Sequence, residues 1–144
     1  MILLDTNVIS EMWKAPPDAC VLAWLDEQAL ETLYLSAITV AELRFGLAAM
    51  PEGKRRAVYQ NRLEQEVLPG FAGRVLPFDL DTSQTYANLM SSAKAAGKAI
   101  SKEDGYIAAT AFARDLIVAT RDVSPFTAAG LSVINPWEAR LEQR

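Results

Sequence analysis

Five apolar runs of three to five residues punctuate the chain, and their brevity limits the fold more than any other feature. They are Ile2-Leu3-Leu4, Leu33-Tyr34-Leu35, Val75-Leu76-Pro77-Phe78, Leu116-Ile117-Val118-Ala119-Thr120 and Leu131-Ser132-Val133-Ile134. Runs this short suit strands buried on both faces, as in a parallel sheet. Two of them stop at polar groups: Asp5-Thr6-Asn7 follows Leu4, and Arg121-Asp122 follows Thr120. Parallel strands need long crossovers, and stretches of helical spacing separate the runs. The expectation is an α/β fold with a mainly parallel sheet of about five short strands and right-handed crossovers. Pro77 lacks a backbone donor, which places its strand at an edge.

The helices have readable ends. Asp5 or Thr6 caps the first, which runs to about Lys14. Asp18 starts a second after Pro16-Pro17, reaching about Ala29, with Val21, Leu22 and Leu25 on one face beside Trp24. Ser36 opens a third that Pro51 ends, and a fourth spans Gly53 to about Leu68 with Pro69-Gly70 as its stop. Asp81 or Thr82 starts a long amphipathic helix ended by Gly97. Ser101 opens another, to about Arg114, whose alanines permit close packing on the sheet. Ser124-Pro125-Phe126 reads as a turn or short helix, and the polar end 138–144 is expected to fray. No repeat or linker appears, so 1–144 reads as one domain.

Composition narrows the chemistry. Histidine is absent, which removes Ser-His-Asp and Cys-His catalysis and the usual zinc sites. Hydrolysis would have to run on carboxylates, hydroxyls, lysine or a metal held by oxygen. The lone Cys20 excludes an internal disulfide and is expected as a buried or half-buried filler. No apolar run nears the roughly 20 residues of a membrane span, and the start lacks a signal peptide's basic region; a cytoplasmic location and no membrane contact are expected. A net charge of −4 argues against a simple nucleic-acid binder, though not against a nuclease whose bound cations change the local field.

Four acids stand where a parallel sheet gathers its functional groups, at strand ends and helix starts: Asp5, Glu42, Asp104 and Asp122. Each has a local alternative. Asp5 is a helix cap; Thr39-Val-Ala-Glu42 matches a capping box; Ser101-Lys-Glu-Asp104 is similar; Asp122 is a turn residue after a strand. Taken together they mean more. Carboxylates that close repel one another and need a cation, and an all-oxygen donor set suits a hard ion such as Mg²⁺. Such an ion acidifies water and neutralises phosphate charge. Thr6, Asn7, Ser101 and Thr120 are placed to orient the acids, while Arg121 is either a phosphate contact or a surface charge. Lys54, Arg55 and Arg56 form either a solvated helix face or a contact for substrate phosphate or a partner.

The ordered set resembles a PIN-domain ribonuclease of the VapC toxin type, nearest its FitB-like branch. The likeness rests on Ile2-Leu-Leu-Asp5-Thr6-Asn7-Val-Ile-Ser10-Glu11, on Ser36-Ala-Ile-Thr-Val-Ala-Glu42-Leu-Arg44-Phe-Gly46 and on Pro51-Glu-Gly-Lys-Arg-Arg56. It continues through Arg74-Val-Leu-Pro-Phe-Asp79, Ile100-Ser101, Asp104, Ile107-Ala-Ala109, Ala119-Thr120-Arg121-Asp122 and Val133-Ile-Asn-Pro-Trp137. The resemblance implies a three-layer α/β/α domain and a Mg²⁺- or Mn²⁺-dependent endoribonuclease. Asp5, Glu42, Asp104 and Asp122 fall on its acidic metal positions, with Thr6 or Asn7 and Thr120 on its supporting ones. It further implies a homodimer, a cognate antitoxin that carries the promoter-DNA contact, and structured RNA, often transfer RNA, as substrate. The expected products carry 5′-phosphate and 3′-hydroxyl. Arg44, Lys54, Arg55 and Arg56 are candidate guides for the RNA backbone. Two rivals stay open: an aspartate-nucleophile phosphatase built on Asp5, disfavoured by Asn7 in place of a second acid, and an inactive PIN scaffold that only binds a partner.

Overall fold

The computed structural model describes residues 1–139. Five strands form one sheet in the order β3-β2-β1-β4-β5, every pair parallel. They are β1 Ile2–Leu4, β2 Leu33–Ser36, β3 Val75–Leu76, β4 Ile117–Ala119 and β5 Val133–Ile134. β1 is central: Leu4 faces Leu35 on one side and Ala119 on the other. All three β1 residues are buried, as a continuous apolar run requires.

Alternation along β1 divides the core. Ile2 and Leu4 join the cluster of Val8, Ile9, Val21, Trp24, Leu43, Leu47 and Leu63. Leu3 points to the opposite cluster of Leu89, Ile107, Ala108, Ala111, Val118 and Phe126. One face is therefore covered by α1 Thr6–Glu11, α2 Ala19–Glu27, α3 Ala37–Ala48 and α4 Lys54–Arg62. A short α5, Leu68–Gly70, ends the path that leaves α4. The other face carries α6 Leu80–Ala95, α7 Lys102–Ala113 and α8 Val123–Ala128. The layers are α/β/α, as the resemblance implies.

The strand order has a consequence for function. After β1 the chain builds outward through β2 to β3, then returns to β1's other side as β4. The connections leaving β1 and β4 diverge, and a crevice opens at their carboxyl ends, where open α/β sheets bind ligands.

Helix ends follow local chemistry. α6 closes in a Schellman motif: Lys98 N–H donates to Ala93 O at 2.8 Å and Gly97 N–H to Lys94 O at 3.0 Å, with Gly97 at φ 73°. α7 lies close to α6 because Gly105 has no side chain. A Cβ there would stand 2.7 Å from Met90 Sδ and 3.0 Å from Tyr86 Cε2. Its alanines 108, 109 and 111 are fully buried, so the helix approaches the sheet as expected.

Several boundaries depart from the sequence reading. β3 ends before Pro77, but its edge position holds. α6 starts at Leu80 because Asp79, rather than Asp81 or Thr82, is the cap, accepting from Thr82 N–H at 2.9 Å. The helical path from Lys54 does stop at Gly70, as Pro69-Gly70 suggests, but it is not one α-helix. The chain widens into a π-helical stretch at Leu63–Val67, and Pro69 then sits in the first turn of α5, where a missing N–H costs little. Cys20 is exposed, not buried, since it sits on α2's solvent side one position before Val21. The fraying expected of 138–144 falls mostly outside the described residues.

Phe126 is fully buried where α8 meets α7 and β5. Phe126→Ala should cost about 3–5 kcal/mol of unfolding free energy, read from the urea midpoint at unchanged m-value.

Candidate active site

Asp5 ends the central strand. Its N–H continues the sheet ladder to Ala119 O at 2.9 Å, and its carboxylate, 5% exposed, is gripped from two directions. Oδ1 accepts from Thr6 N–H at 2.8 Å, and Oδ2 accepts from the buried Thr120 hydroxyl at 2.8 Å. The cap reading of Asp5 is thus partly right: it starts α1, but it bonds the first helical N–H rather than the second or third. Thr120 is a hub. Its oxygen also accepts from Asp122 N–H at 3.0 Å and Asn7 Nδ2 at 3.3 Å, joining the ends of β1 and β4. Asn7 returns with Oδ1, which accepts from Arg121 N–H at 3.3 Å.

Glu42 reaches the same place from α3. The Thr6 hydroxyl donates to its Oε1 at 2.9 Å and shares a 3.3 Å contact with the Thr39 hydroxyl. The capping-box reading of Thr39 and Glu42 fails. Ser36 caps α3, accepting from Ile38 N–H at 3.0 Å, so Thr39 and Glu42 lie one turn further in and face α1. Ser101 does cap α7, accepting from Asp104 N–H at 3.1 Å. Asp122 precedes α8 but makes no side-chain cap, leaving its carboxylate on the cleft.

All four predicted acids line one cleft of about 360 Å³. Thr6 and Asn7 line it too, with Thr120 buried behind and Ser101 at the edge of α7. Arg121 stands on its wall, its guanidinium 5.3 Å from the Trp137 ring centre. Arg44 lies outside it and is held by Glu64 through two bonds of 2.8 and 3.0 Å. Lys54, Arg55 and Arg56 begin α4, also away from this wall. Sequence reasoning missed Ser10, Glu11 and Lys14 as lining residues, although helical spacing from Asn7 puts Ser10 and Glu11 on one face of α1, with Lys14 following just past its end. Glu11 is buried, accepting from Asp18 N–H at 2.9 Å and pairing with Lys14 Nζ at 2.9 Å. Those bonds, Lys14's first, hold its carboxyl below the usual range.

The electrostatics single out Asp5. Burial raises its pKa from 3.8 to about 6; the Thr120 and Thr6 bonds oppose this, and the charges of Asp104 and Glu42 reinforce it. Asp104 is also raised, by burial first, then by Asp122 and Glu103, against the Ser101 bond. Lys14 and Arg121 are the cations on a wall that carries five carboxylates, those of Asp5, Glu11, Glu42, Asp104 and Asp122. Among the described residues no three acids stand together closely enough to hold one ion. Mutual repulsion favours that spread.

A carboxylate-lined crevice at the switch point of a parallel sheet already defines a class of protein. Residues 2–130 match the PIN domain family, and the chain belongs to it. It is 74% identical to VapC ribonuclease Y4jK of Sinorhizobium fredii over 96% of this chain and 99% of that one. It is 57% identical to Toxin FitB of Neisseria gonorrhoeae, over 95% and 99% respectively. The structure of FitAB bound to the IR36 DNA fragment superposes at a TM-score of 0.95 and 52% identity, covering 99% of this chain and all of that one. The likeness to the FitB-like branch seen in the motifs thus extends over the fold.

Asp5 sets a pH dependence. Its carboxyl binds a proton more tightly folded than unfolded, so the stability it contributes is complete below the unfolded pKa of 3.8 and is lost as pH rises through about 6. In EDTA, wild-type unfolding free energy should fall relative to Asp5→Asn by roughly 2–3 kcal/mol between about pH 4 and pH 7. Parallel pH profiles by urea unfolding would refute the assignment.

Proposed function

We propose that this chain is a metal-dependent endoribonuclease, the toxin of a toxin–antitoxin pair, working in the cytoplasm. The observation that carries this reading is the arrival of Asp5, Glu42, Asp104 and Asp122 at one cleft from four separate segments of a chain without histidine. The 74% identical VapC ribonuclease supports the reaction class.

The residues fit a hard divalent ion in donor chemistry: oxygen ligands only, several of them anionic, around a buried carboxylate with two acidic neighbours. Asp5, Glu42 and Asp104, aided by Asp122, would supply the donors for Mg²⁺ or Mn²⁺, the ion drawing in carboxylates that stand apart without it. When bound, such an ion lowers the pKa of water and offsets charge on the phosphodiester. The chain's own groups do the rest. Thr6 and Thr120 fix Asp5, and the Thr6 hydroxyl orients Glu42. Asp122 makes no capping bond, so its carboxylate is free to accept a proton from the attacking water. Arg121, steadied over Trp137, and Lys14 face the phosphate. Cleavage would leave 5′-phosphate and 3′-hydroxyl ends on RNA, with transfer RNA among the expected substrates.

A cognate antitoxin has a seat. Met12, Trp13, Leu25, Leu30, Val67 and Phe71 line an apolar groove of about 620 Å³ behind α1, with Met12 and Leu30 about half exposed. An amphipathic segment suits such a groove. Promoter DNA would be reached only through that partner, a reading that the DNA-bound FitAB complex supports, and the toxin itself would pair as a homodimer.

Cleavage of a mixed RNA pool should require Mg²⁺, stop with EDTA, and fall at least about 100-fold in Asp5→Asn and Asp104→Asn. Mg²⁺ should also raise the melting temperature of wild type and not of Asp104→Asn, a readout independent of turnover. Cleavage that survives EDTA or both substitutions would sink the proposal. Leu30→Glu should weaken antitoxin binding about tenfold or more while RNA cleavage by the free toxin is unchanged.

A further inference from the structure

Beside the catalytic cleft lies a second cavity, of about 580 Å³, that the reaction above does not use. Ser10 on α1 and Lys14 just past its end line both, so the two cavities adjoin. The floor is aromatic. Trp13 stacks on Tyr59 with ring centres 5.9 Å apart and planes 23° apart, and the Tyr59 hydroxyl donates to Trp13 O at 3.3 Å. Arg55 is the unneutralised cation of the rim, 5.6 Å from the Tyr59 ring centre, and Lys14, paired with Glu11 at 2.9 Å, stands at the junction.

The charge placement breaks a local rule. Lys54, Arg55 and Arg56 occupy the first turn of α4, whose cap Gly53 offers no side chain. Helix starts favour anions, and each cation there is unfavourable. Among the described residues none of the three forms an ion pair with an acid. The molecule as a whole carries −4, so this end of α4 is a local concentration of positive charge against the overall sign. Arg55 packs against Tyr59 and Arg56 Nη1 donates to Met50 O at 3.5 Å, but no acid neutralises these charges, and charges that break a local preference in this way mark functional positions.

We propose that this cavity binds an unpaired nucleotide flanking the cleaved bond, its base on the Trp13–Tyr59 stack and its phosphate between Lys14 and Arg55. The inference rests on the ribonuclease reading and sharpens it: at this position the substrate is single-stranded. A base in a duplex is already stacked and paired and presents no free face, whereas an aromatic floor with a cationic rim is the usual way to hold single strands. A flat stack beside the cleavage site favours a base over a protein segment, for which the groove behind α1 offers the more apolar lining.

The test uses binding without cleavage. Single-stranded RNA of about 10 nucleotides and random sequence, and a duplex of equal length, are titrated into the full chain in EDTA. Arg55→Glu should weaken single-strand binding about tenfold or more, Tyr59→Leu comparably, and the charge-matched Lys94→Glu on α6 less than about twofold. Arg55 is exposed, so its substitution leaves the fold intact. In Mg²⁺, Arg55→Glu should raise KM with kcat nearly unchanged, and 4-thiouridine in the oligonucleotide should crosslink to Trp13 or Tyr59. Equal affinity of wild type and Arg55→Glu overturns the proposal. So do duplex binding as tight as single-strand binding, no RNA binding at all, or an Arg55→Glu defect confined to the antitoxin. Arg55-dependent binding by a protein that cuts nothing would uphold the subsite and defeat the ribonuclease reading instead.

Discussion

The hydrogen bond between the Thr120 hydroxyl and Asp5 Oδ2 is the joint on which the site depends. It is buried, 2.8 Å long, and spans from the end of β4 to the end of β1. A carboxylate at 5% exposure is costly to ionise without such donors. Thr120 also accepts from Asn7 and from Asp122 N–H, so one oxygen fixes the chain at both strand ends and at the start of the turn into α8. Parallel register brings them together: Leu4 pairs with Ala119, and the next residue on each strand is the acid and its threonine.

That arrangement holds Asp5 against its own repulsion from Asp104 and Glu42. The Thr6 and Thr120 bonds favour the charged form, yet burial wins and the pKa still climbs to about 6. A domain with a total stability of roughly 5–15 kcal/mol concedes a noticeable fraction here. The fully buried Phe126, Leu3, Ile107 and Val118 on one face, and Val8, Val21, Leu35 and Leu63 on the other, supply the surplus. Strain of this kind at a cleft, surrounded by a well-packed core, is how sites keep reactive groups poised.

The sequence made the sheet and the four acids legible because both depend on short-range pattern: an apolar run, then a polar stop. Each of the four acids has a local alternative in the sequence, and Glu42 shows how the fold decides between the two. Thr39-Val-Ala-Glu42 satisfies a capping box on spacing alone, and only Ser36's prior claim on Ile38 N–H turns it toward α1. Glu11 and Lys14 were hidden for a different reason. They answer no motif, and their role follows from the direction in which α1 leaves Asp5, although the spacing from Asn7 recorded that face. Pro69-Gly70 marks the end of the helical path, but the π-helical stretch before it leaves no trace in the spacing. Beyond the edge position that Pro77 marks, strand order is not legible in the sequence, since neighbours in the sheet are set by packing of distant segments.

Helix α1 is six residues long and serves as a wall to three concavities. Asn7, Ser10 and Glu11 face the acidic cleft, Ile9 faces the apolar groove, and Ser10 also borders the aromatic cavity. Trp13, just beyond its end, lies on both the groove and the cavity, and Lys14 on both the cavity and the cleft. Only Val8 is wholly committed to the core, together with the inner side of Ile9. So short an element has little packing of its own to hold it, and the Asp5, Thr6 and Asn7 bonds at its start supply much of what fixes it. Whatever presses on one wall of α1 is therefore felt at the others. A substitution at Trp13 disturbs groove and cavity together, whereas Arg55 touches the cavity alone and Leu30 the groove alone, which makes those two residues the ones able to separate the sites.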